Sequence, residues 1–374
     1  MPLRKVIEHK LRAFRSYILP SHLKAAAKVR SLAKPIPATK PLCIFDFTSI
    51  NIDNVAGRYL YHLVTEFESL GYAIAYVDHF RFLATMEAKK YKRLLLQRDY
   101  SLIPTSSITK YKDAVLITDS QENLKLNLKC SIRVVYDKLR PSSSDNTAFA
   151  LPFFVHPMVH ESHQVENLAK PTSDNREMAI FFAGNAKAPK YDSPDLQQIY
   201  SVFSRVKALS IAKAHLTSHK IRTPDSLEQL LPASGQRQTL TIATTETLPI
   251  PFQQWIETLA KADFYFACPG VGMPLCHNLI ESLAAGTIPI LQYPQYLDPP
   301  LEHGINCLTF NDEASLQQAL DEALSMSQQQ VQLLRKNALS YYRSQLAPGL
   351  FAKRMLDAKQ PELSLYLNAY RIPR

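Results

Sequence analysis

Apolar positions in this chain fall into two alternating patterns. Short runs such as "PLCIFDF", "YAIAYVD", "AVLITD", "IRVVYD" and "LPFFVH" are nearly unbroken in apolar character and carry an acid or a histidine at or near their end. Between the first two lies "NVAGRYLYHLVTEFESLG", where Leu60, Leu63, Val64, Phe67 and Leu70 recur at helical spacing and Gly71 closes the segment. Strands that are apolar on both faces belong to parallel sheets, because crossover helices cover both sides. Residues 41–165 are therefore expected to form one Rossmann-like α/β domain.

The polar stretch "QVENLAKPTSDNR" interrupts the pattern, which then restarts. Strand-like "MAIFFAG", "TLTIATT", "FYFACPG" and "IPILQY" alternate with helix-like "DLQQIYSVFSRVKALSIAKAH", "PFQQWIETLAKA" and "LCHNLIESLAAG". This predicts a second doubly wound domain over 176–325. From Glu313 the chain becomes mostly helical, with Leu316, Leu320 and Leu324 on one stripe, and 326–374 is set apart as a helical tail. Two such domains in tandem are expected to hold ligands in a cleft facing the carboxyl ends of their strands.

At 374 residues, 46% hydrophobic and 20% charged, the chain has the composition of a soluble globular protein with room for two cores. No apolar run approaches the eighteen residues of a spanning helix, and charges break up the first twenty residues, which disfavours a secretory signal. Five scattered cysteines, Cys43, Cys130, Cys268, Cys276 and Cys307, suggest reduced thiols and a cytoplasmic setting. The net charge of +10 is concentrated in residues 1–40, which hold ten Lys/Arg against the single acid Glu8. The rest of the chain is nearly balanced, which argues against a nucleic-acid groove across the fold. Within that arm Ile7, Leu11, Phe14 and Ile18 form an apolar stripe flanked by Arg4, Lys5, Lys10, Arg12 and Arg15. A basic amphipathic helix of this kind is suited to the surface of an anionic membrane, contacted through residues 1–30 and on its inner face, or to packing on the body of the protein.

Three strand-to-loop junctions carry candidate chemistry. In "FFAGNAKAPKY", Gly184, Asn185 and Lys187, with Lys190 nearby, offer backbone amides and cations to a phosphate. In "ADFYFACPGVGMPLCHNLIESLAAGTIPI", Gly270 and Gly272 precede a helix N-terminus whose unpaired N–H groups suit an anion such as a pyrophosphate. Glu281 lies four residues after His277 on the same helical face and is placed to accept hydrogen bonds from ribose hydroxyls. The bland alternative is a glycine turn before an ordinary helix. The third junction, "DFTSINIDNVAGRYLYHLV", holds Asp46 at a strand end, then Gly57 and Arg58. Asp46, His156 and Asp137 compete as the base, with helix capping as the structural alternative for Asp46 and Asp137 and a strand end running into the cleft as the setting of His156. The cluster "HPMVHESH" lacks the His-Glu-x-x-His spacing of a zinc site, so no metal is expected at His156, His160 and His163.

The second of these stretches resembles the nucleotide-sugar segment of glycosyltransferases of the two-domain GT-B fold, in particular the exostosin-like pattern. In that pattern a strand ending in Cys-Pro leads through a loop to a helix with a glutamate and on to a Gly-x-Ile-Pro strand. Cys268, Pro269, Glu281, Gly286, Ile288 and Pro289 match it. The resemblance implies a ribose contact for Glu281. Where exostosin-like sequences carry an arginine shortly before this glutamate the chain has "HNLIE", so His277 or Asn278 is expected at the donor phosphates. Gly57 and Arg58 are similar to the Gly-Arg-Tyr segment of many GT-B transferases, which faces the acceptor-side cleft. Together these imply transfer of a sugar from a nucleotide-sugar donor to a glycan or lipid-linked acceptor. No resident cofactor is expected. The absence of any Asp-x-Asp element in the sequence suggests that no metal bridges the diphosphate. A nucleotide-sugar epimerase or hydrolase of the same architecture, and a non-catalytic binding protein retaining the fold, are the alternative readings.

Overall fold

The computed structural model describes residues 19–126, 128–137, 145–168, 176–188, 190–233 and 238–368. The stripe Ile7, Leu11, Phe14 and Ile18 lies outside the described residues. From Pro20 the basic N-terminal region is a helix, α1 (Pro20–Leu32), that buries Ala25, Ala26 and Val29 against the first unit. Two of its cations are paired there: Arg30 donates to Asp78 at 2.7 and 2.9 Å, and Lys28 meets Glu87. The arm expected over 1–40 is thus a packed helix in its described part.

The chain then forms β1 (Leu42–Asp46), α2 (Arg58–Ser69), β2 (Ala73–Val77), β3 (Ser101–Ile103), β4 (Val115–Thr118), β5 (Cys130–Asp137) and β6 (Ala148–Ala150). Every residue of β1, β2 and β4 is buried, as parallel strands covered on both faces require. Helix α2 ends at Ser69, and Gly71 adopts φ +82°, which lets the chain reverse into β2.

At Pro152 the chain enters a second compact unit, Pro152–Ala347. This holds α3 (Pro157–Glu161), β7 (Met178–Gly184), α4 (Arg205–His215), β8 (Ile221–Arg222), β9 (Leu240–Thr244), α5 (Trp255–Leu259), β10 (Ala262–Phe266), α6 (His277–Ala284), β11 (Ile288–Leu291), β12 (Leu308–Thr309), α7 (Glu313–Ser325) and α8 (Gln328–Tyr341). From Pro348 it returns to the first unit as α9 (Leu350–Asp357) and β13 (Glu362–Asn368).

Both sheets are parallel. The first has the order β3-β2-β1-β4-β5-β13-β6 and the second β12-β11-β10-β7-β9-β8. In each, the chain fills one side of a central strand and then resumes on the other side. The reversal falls between β1 and β4 in the first unit, and between β7 and β10 in the second. Such switch points open a crevice at the carboxyl ends of the strands. The core of the second unit packs Ile180, Phe182, Leu240, Ile242, Phe264 and Phe266 from the sheet against Leu209, Ala212, Leu316 and Leu320 from the helices.

Four expectations are revised. The units exchange at Leu151/Pro152, not within 165–176, so "LPFFVH" is irregular chain after β6 and not a strand. The long helix expected before His215 is broken, because Ser201 takes the left-handed conformation (φ 55°) and Ser204 caps α4 through Lys207 N. The segment "NVA" is not helical, since Val55 and Ala56 have φ of 52° and 59°. The tail over 326–374 is split between the two units and ends in a strand: β13 pairs with β5 and β6, burying Leu363, Leu365 and Leu367. The turn into α9 is fixed by Glu66 of α2. Its carboxylate accepts from Gly349 N (3.0 Å), Phe351 N (2.9 Å) and Ala352 N (3.1 Å).

Candidate functional site

A pocket of about 250 Å³ opens in the second unit at the ends of β7 and β9 and the start of α6. Gly184, Thr245, His156, His277, Asn278 and Glu281 form its polar lining, and Leu248, Ile250, Phe252 and Trp255 its apolar wall. It lies at the β7/β10 switch point, where the topology favours a ligand.

Helix α6 is fixed at both ends. At its start Asn278 Nδ2 donates to Ala183 O (3.3 Å) and Tyr265 Oη (2.9 Å). At its close Arg176 Nη2 donates to Ala285 O (2.9 Å), and Gly286 with φ +66° ends the helix. Burial draws the Arg176 guanidinium down to about 9. His277 and Glu281, one turn apart, therefore share the pocket face as their spacing predicts. Glu281 is fully buried. Its Oε1 accepts from His156 N (2.9 Å) and its Oε2 from Trp255 Nε1 (2.6 Å). These two bonds orient the carboxylate.

His156 caps α3: its Nδ1 accepts from Met158 N at 3.1 Å. A backbone N–H only donates, so Nδ1 is unprotonated and the neutral ring carries its proton on Nε2. In that tautomer the ring is a hydrogen-bond donor at Nε2. Its ring centroid lies 5.1 Å from that of His277 and 6.3 Å from that of Phe252.

Other candidates fall elsewhere. Asn185 Oδ1 accepts from Lys187 N (2.9 Å) in a local turn, and Lys187 is exposed. Neither lines the pocket, and nor do Gly270 and Gly272. Gly270 is required by its own loop, since an added Cβ would stand 2.8 Å from Met273 O. The glycine loop expected to admit a pyrophosphate is thus closed on itself at Gly270, which donates from its N to Pro274 O at 3.1 Å. Among the described residues no group of three His, Cys, Asp or Glu is arranged to hold a metal ion.

In the first unit Asp46 is completely buried at the end of β1. It accepts from Thr118 Oγ1 (2.5 Å) and Asn123 Nδ2 (2.8 Å), and shares a proton-bearing contact of 2.6 Å with His79 Nε2. Burial would raise its carboxyl, but the bonds from His79, Asn123 and Thr118 outweigh that and hold it below its ordinary value. The same contact holds the half-buried His79 above the usual imidazole value. Three side chains surround the Asp46 carboxylate, and the partly exposed ring beside it, His79, is the more accessible group of the pair, with Asp46 behind it. Gly57 (φ +80°) closes a left-handed turn that lies against the buried stem of Lys92, and Arg58 stacks on Tyr91 at 5.1 Å. Lys92 Nζ donates to Asp53 Oδ1 (2.8 Å), Thr85 Oγ1 (2.8 Å) and Phe82 O (3.1 Å). Gly57 and Arg58 therefore build this buried polar core. Asp137 ends β5.

Sequence reasoning missed the apolar wall, His79, and Arg205 beneath the β7 loop. The only tryptophan of the chain, Trp255, was the one available signal for the wall.

No protein-family model matches the sequence. No curated protein matches it either. Two tandem parallel α/β sheets, with the C-terminal segment returning to the first, give the strand architecture of the GT-B class. Among solved structures the chain is similar to Anabaena HepE in complex with UDP and glucose, at 11% identity, covering 84% of this chain and 99% of that one with a TM-score of 0.42. A glycosyltransferase from Rickettsia africae aligns at 13% identity over 85% of this chain and 98% of that one, with a TM-score of 0.47. The UDP-forming α,α-trehalose-phosphate synthase from Burkholderia xenovorans, in complex with glucose-6-phosphate, aligns at 13% identity over 91% of this chain and 78% of that one, with a TM-score of 0.38.

Proposed function

We propose that the protein is a glycosyltransferase whose nucleotide-sugar donor occupies the pocket of the second unit, with a glycan or lipid-linked molecule as acceptor. The observation that carries this reading is Glu281: a fully buried carboxylate, oriented by Trp255 and His156, lining a pocket at a switch point opposite an aromatic and aliphatic wall. A nucleoside meets these demands, because its diol donates two hydrogen bonds to a carboxylate while its base lies on apolar surface. The N-terminus of α6 and the His277 and Asn278 side chains then face the diphosphate. Departure of a nucleoside diphosphate concentrates negative charge on its oxygens, and helix-end N–H groups and ring N–H donors stabilise that charge. The reaction is proposed to proceed without a resident cofactor, and exostosin-like donor binding is part of the same proposal.

Calorimetric titration with UDP, GDP and ADP tests the donor assignment. Glu281→Ala in a folded protein is expected to weaken the bound nucleotide at least tenfold, since a charged acceptor for two hydroxyls is worth roughly 1.5–3 kcal/mol per bond. An unchanged affinity removes Glu281 from the site. Failure of the intact protein to bind any of the three sinks the donor assignment. Product analysis with a bound donor separates transfer from hydrolysis or epimerisation.

A further inference from the structure

Arg205 begins α4 and is buried, yet it belongs to neither the pocket lining nor an ion pair with a described acid. Its guanidinium instead ties two loops together. Nε and Nη2 both donate to Pro269 O, at 3.1 and 2.9 Å, and Nη1 donates to Asn185 O at 2.8 Å. The plane of the group stacks on Tyr191 at 4.3 Å, which fixes its orientation. Pro269 follows β10 and Asn185 follows β7, so the bridge spans the switch point at which the pocket opens.

The edge of the guanidinium reaches the pocket wall at Gly184. A Cβ built on Gly184 would lie 3.4 Å from Arg205 Nη1, 3.7 Å from Asn278 Nδ2 and 4.0 Å from the Phe182 ring. The bare Cα therefore leaves a notch beside Arg205 Nη1, which carries a second N–H beyond the one given to Asn185 O, and beside Asn278, whose two amide N–H groups go to Ala183 O and Tyr265 Oη. Without Arg205, the carbonyls of Asn185 and Pro269 would present the negative ends of two peptide dipoles near that notch with no donor to engage them. An anion would then meet acceptors as well as donors.

We propose that Arg205 is the positioning residue for the phosphate-bearing part of the pocket: it engages the Asn185 and Pro269 carbonyls, holds the β7 and β10 loops at a fixed separation, and leaves an N–H-lined notch over Gly184 for a diphosphate. This rests on the nucleotide-sugar reading of the pocket. Arginine suits the task because its planar fork serves two carbonyls at once, which a lysine ammonium on a flexible stem does not reproduce.

The test compares a nucleoside diphosphate with its nucleoside, using whichever of UDP, GDP or ADP binds the intact protein. Arg205→Met is expected to weaken the diphosphate at least tenfold while changing the nucleoside less than about threefold, since only the diphosphate uses the notch. Arg205→Lys is expected to recover part of that loss through its charge, and it serves as the primary variant if Arg205→Met does not fold. Gly184→Ala, which fills the notch, is expected to show the same selective loss. Equal losses for diphosphate and nucleoside in the Arg205 variants, or no loss for either, overturn the proposal. If the intact protein binds no nucleoside diphosphate, the underlying reading fails before any variant is compared.

Discussion

Glu66 makes the first unit sensitive to pH around neutrality. Burial pushes its carboxyl up to about 7 from an ordinary 4.5, against the opposing pull of the Ala352, Gly349 and Phe351 N–H groups and of the Arg354 charge. A folded state that binds a proton more tightly than the unfolded one gains stability at low pH. The contribution is complete below about 4.5 and is lost as pH rises through about 7. That interval, at roughly 1.4 kcal/mol per tenfold in proton affinity, amounts to about 3 kcal/mol. Because Glu66 holds the first turn of α9, the loss falls on the segment from Gly349 to Asp357. Two units do not guarantee a single unfolding transition, so a local measurement is the sound one. Amide hydrogen exchange of peptides covering 349–357, corrected for intrinsic rates, should show protection falling between pH 5 and 8. Glu66→Gln removes the titration while keeping the volume. It should be less protected at low pH, since its amide N–H₂ faces backbone donors, and should lack the pH dependence. His79, also raised, loses its contribution in the same direction, and the Gln variant retains it. The same pH profile in wild type and Glu66→Gln would refute this account.

Three further outcomes are expected. Asp46→Asn should lower the midpoint of the His79 titration in NMR, because a charged acceptor is replaced by a neutral one; an unmoved midpoint would show that the 2.6 Å contact does not govern the ring. Gly57→Ala should cost roughly 1–2 kcal/mol for the left-handed backbone and more for displacing Lys92, whose Cγ would stand 2.4 Å from the new Cβ, so an unshifted thermal midpoint contradicts the packing described. Among the described residues no helix is long and apolar enough to cross a membrane, so surface association is tested by flotation with anionic vesicles. Removing residues 1–18 should reduce flotation, and equal flotation would refute the anchor.

The pattern of strands and helices was legible because parallel sheets impose it locally: each buried run must be apolar throughout, and each crossover must present one apolar stripe. Glu281 and His277 were legible for a similar reason, as a spacing of four on a helix brings two side chains to one face. The strand β13 also had a local sign, the alternation of Leu363, Leu365 and Leu367. A helical reading of the tail missed it because its partners, β5 and β6, are more than two hundred residues away in sequence.

The Asp46–His79 pair and the Arg205 bridge left no such sign. Each joins side chains from elements that are distant in the chain, and composition or periodicity does not encode which distant element will be a neighbour. The glycines of "CPGVGMP" show the difference most sharply. Their presence before a helix was readable, and so was a turn. Only the packed structure determined that Gly270 makes room for the carbonyl of Met273, while the glycine bordering the pocket is Gly184, held beside Arg205 and Asn278. Sequence by itself determined most of the segments that would be strands and helices, since that depends on neighbours a few residues away. Tertiary packing decided which side chains share a site, since that depends on the order in which the strands pair.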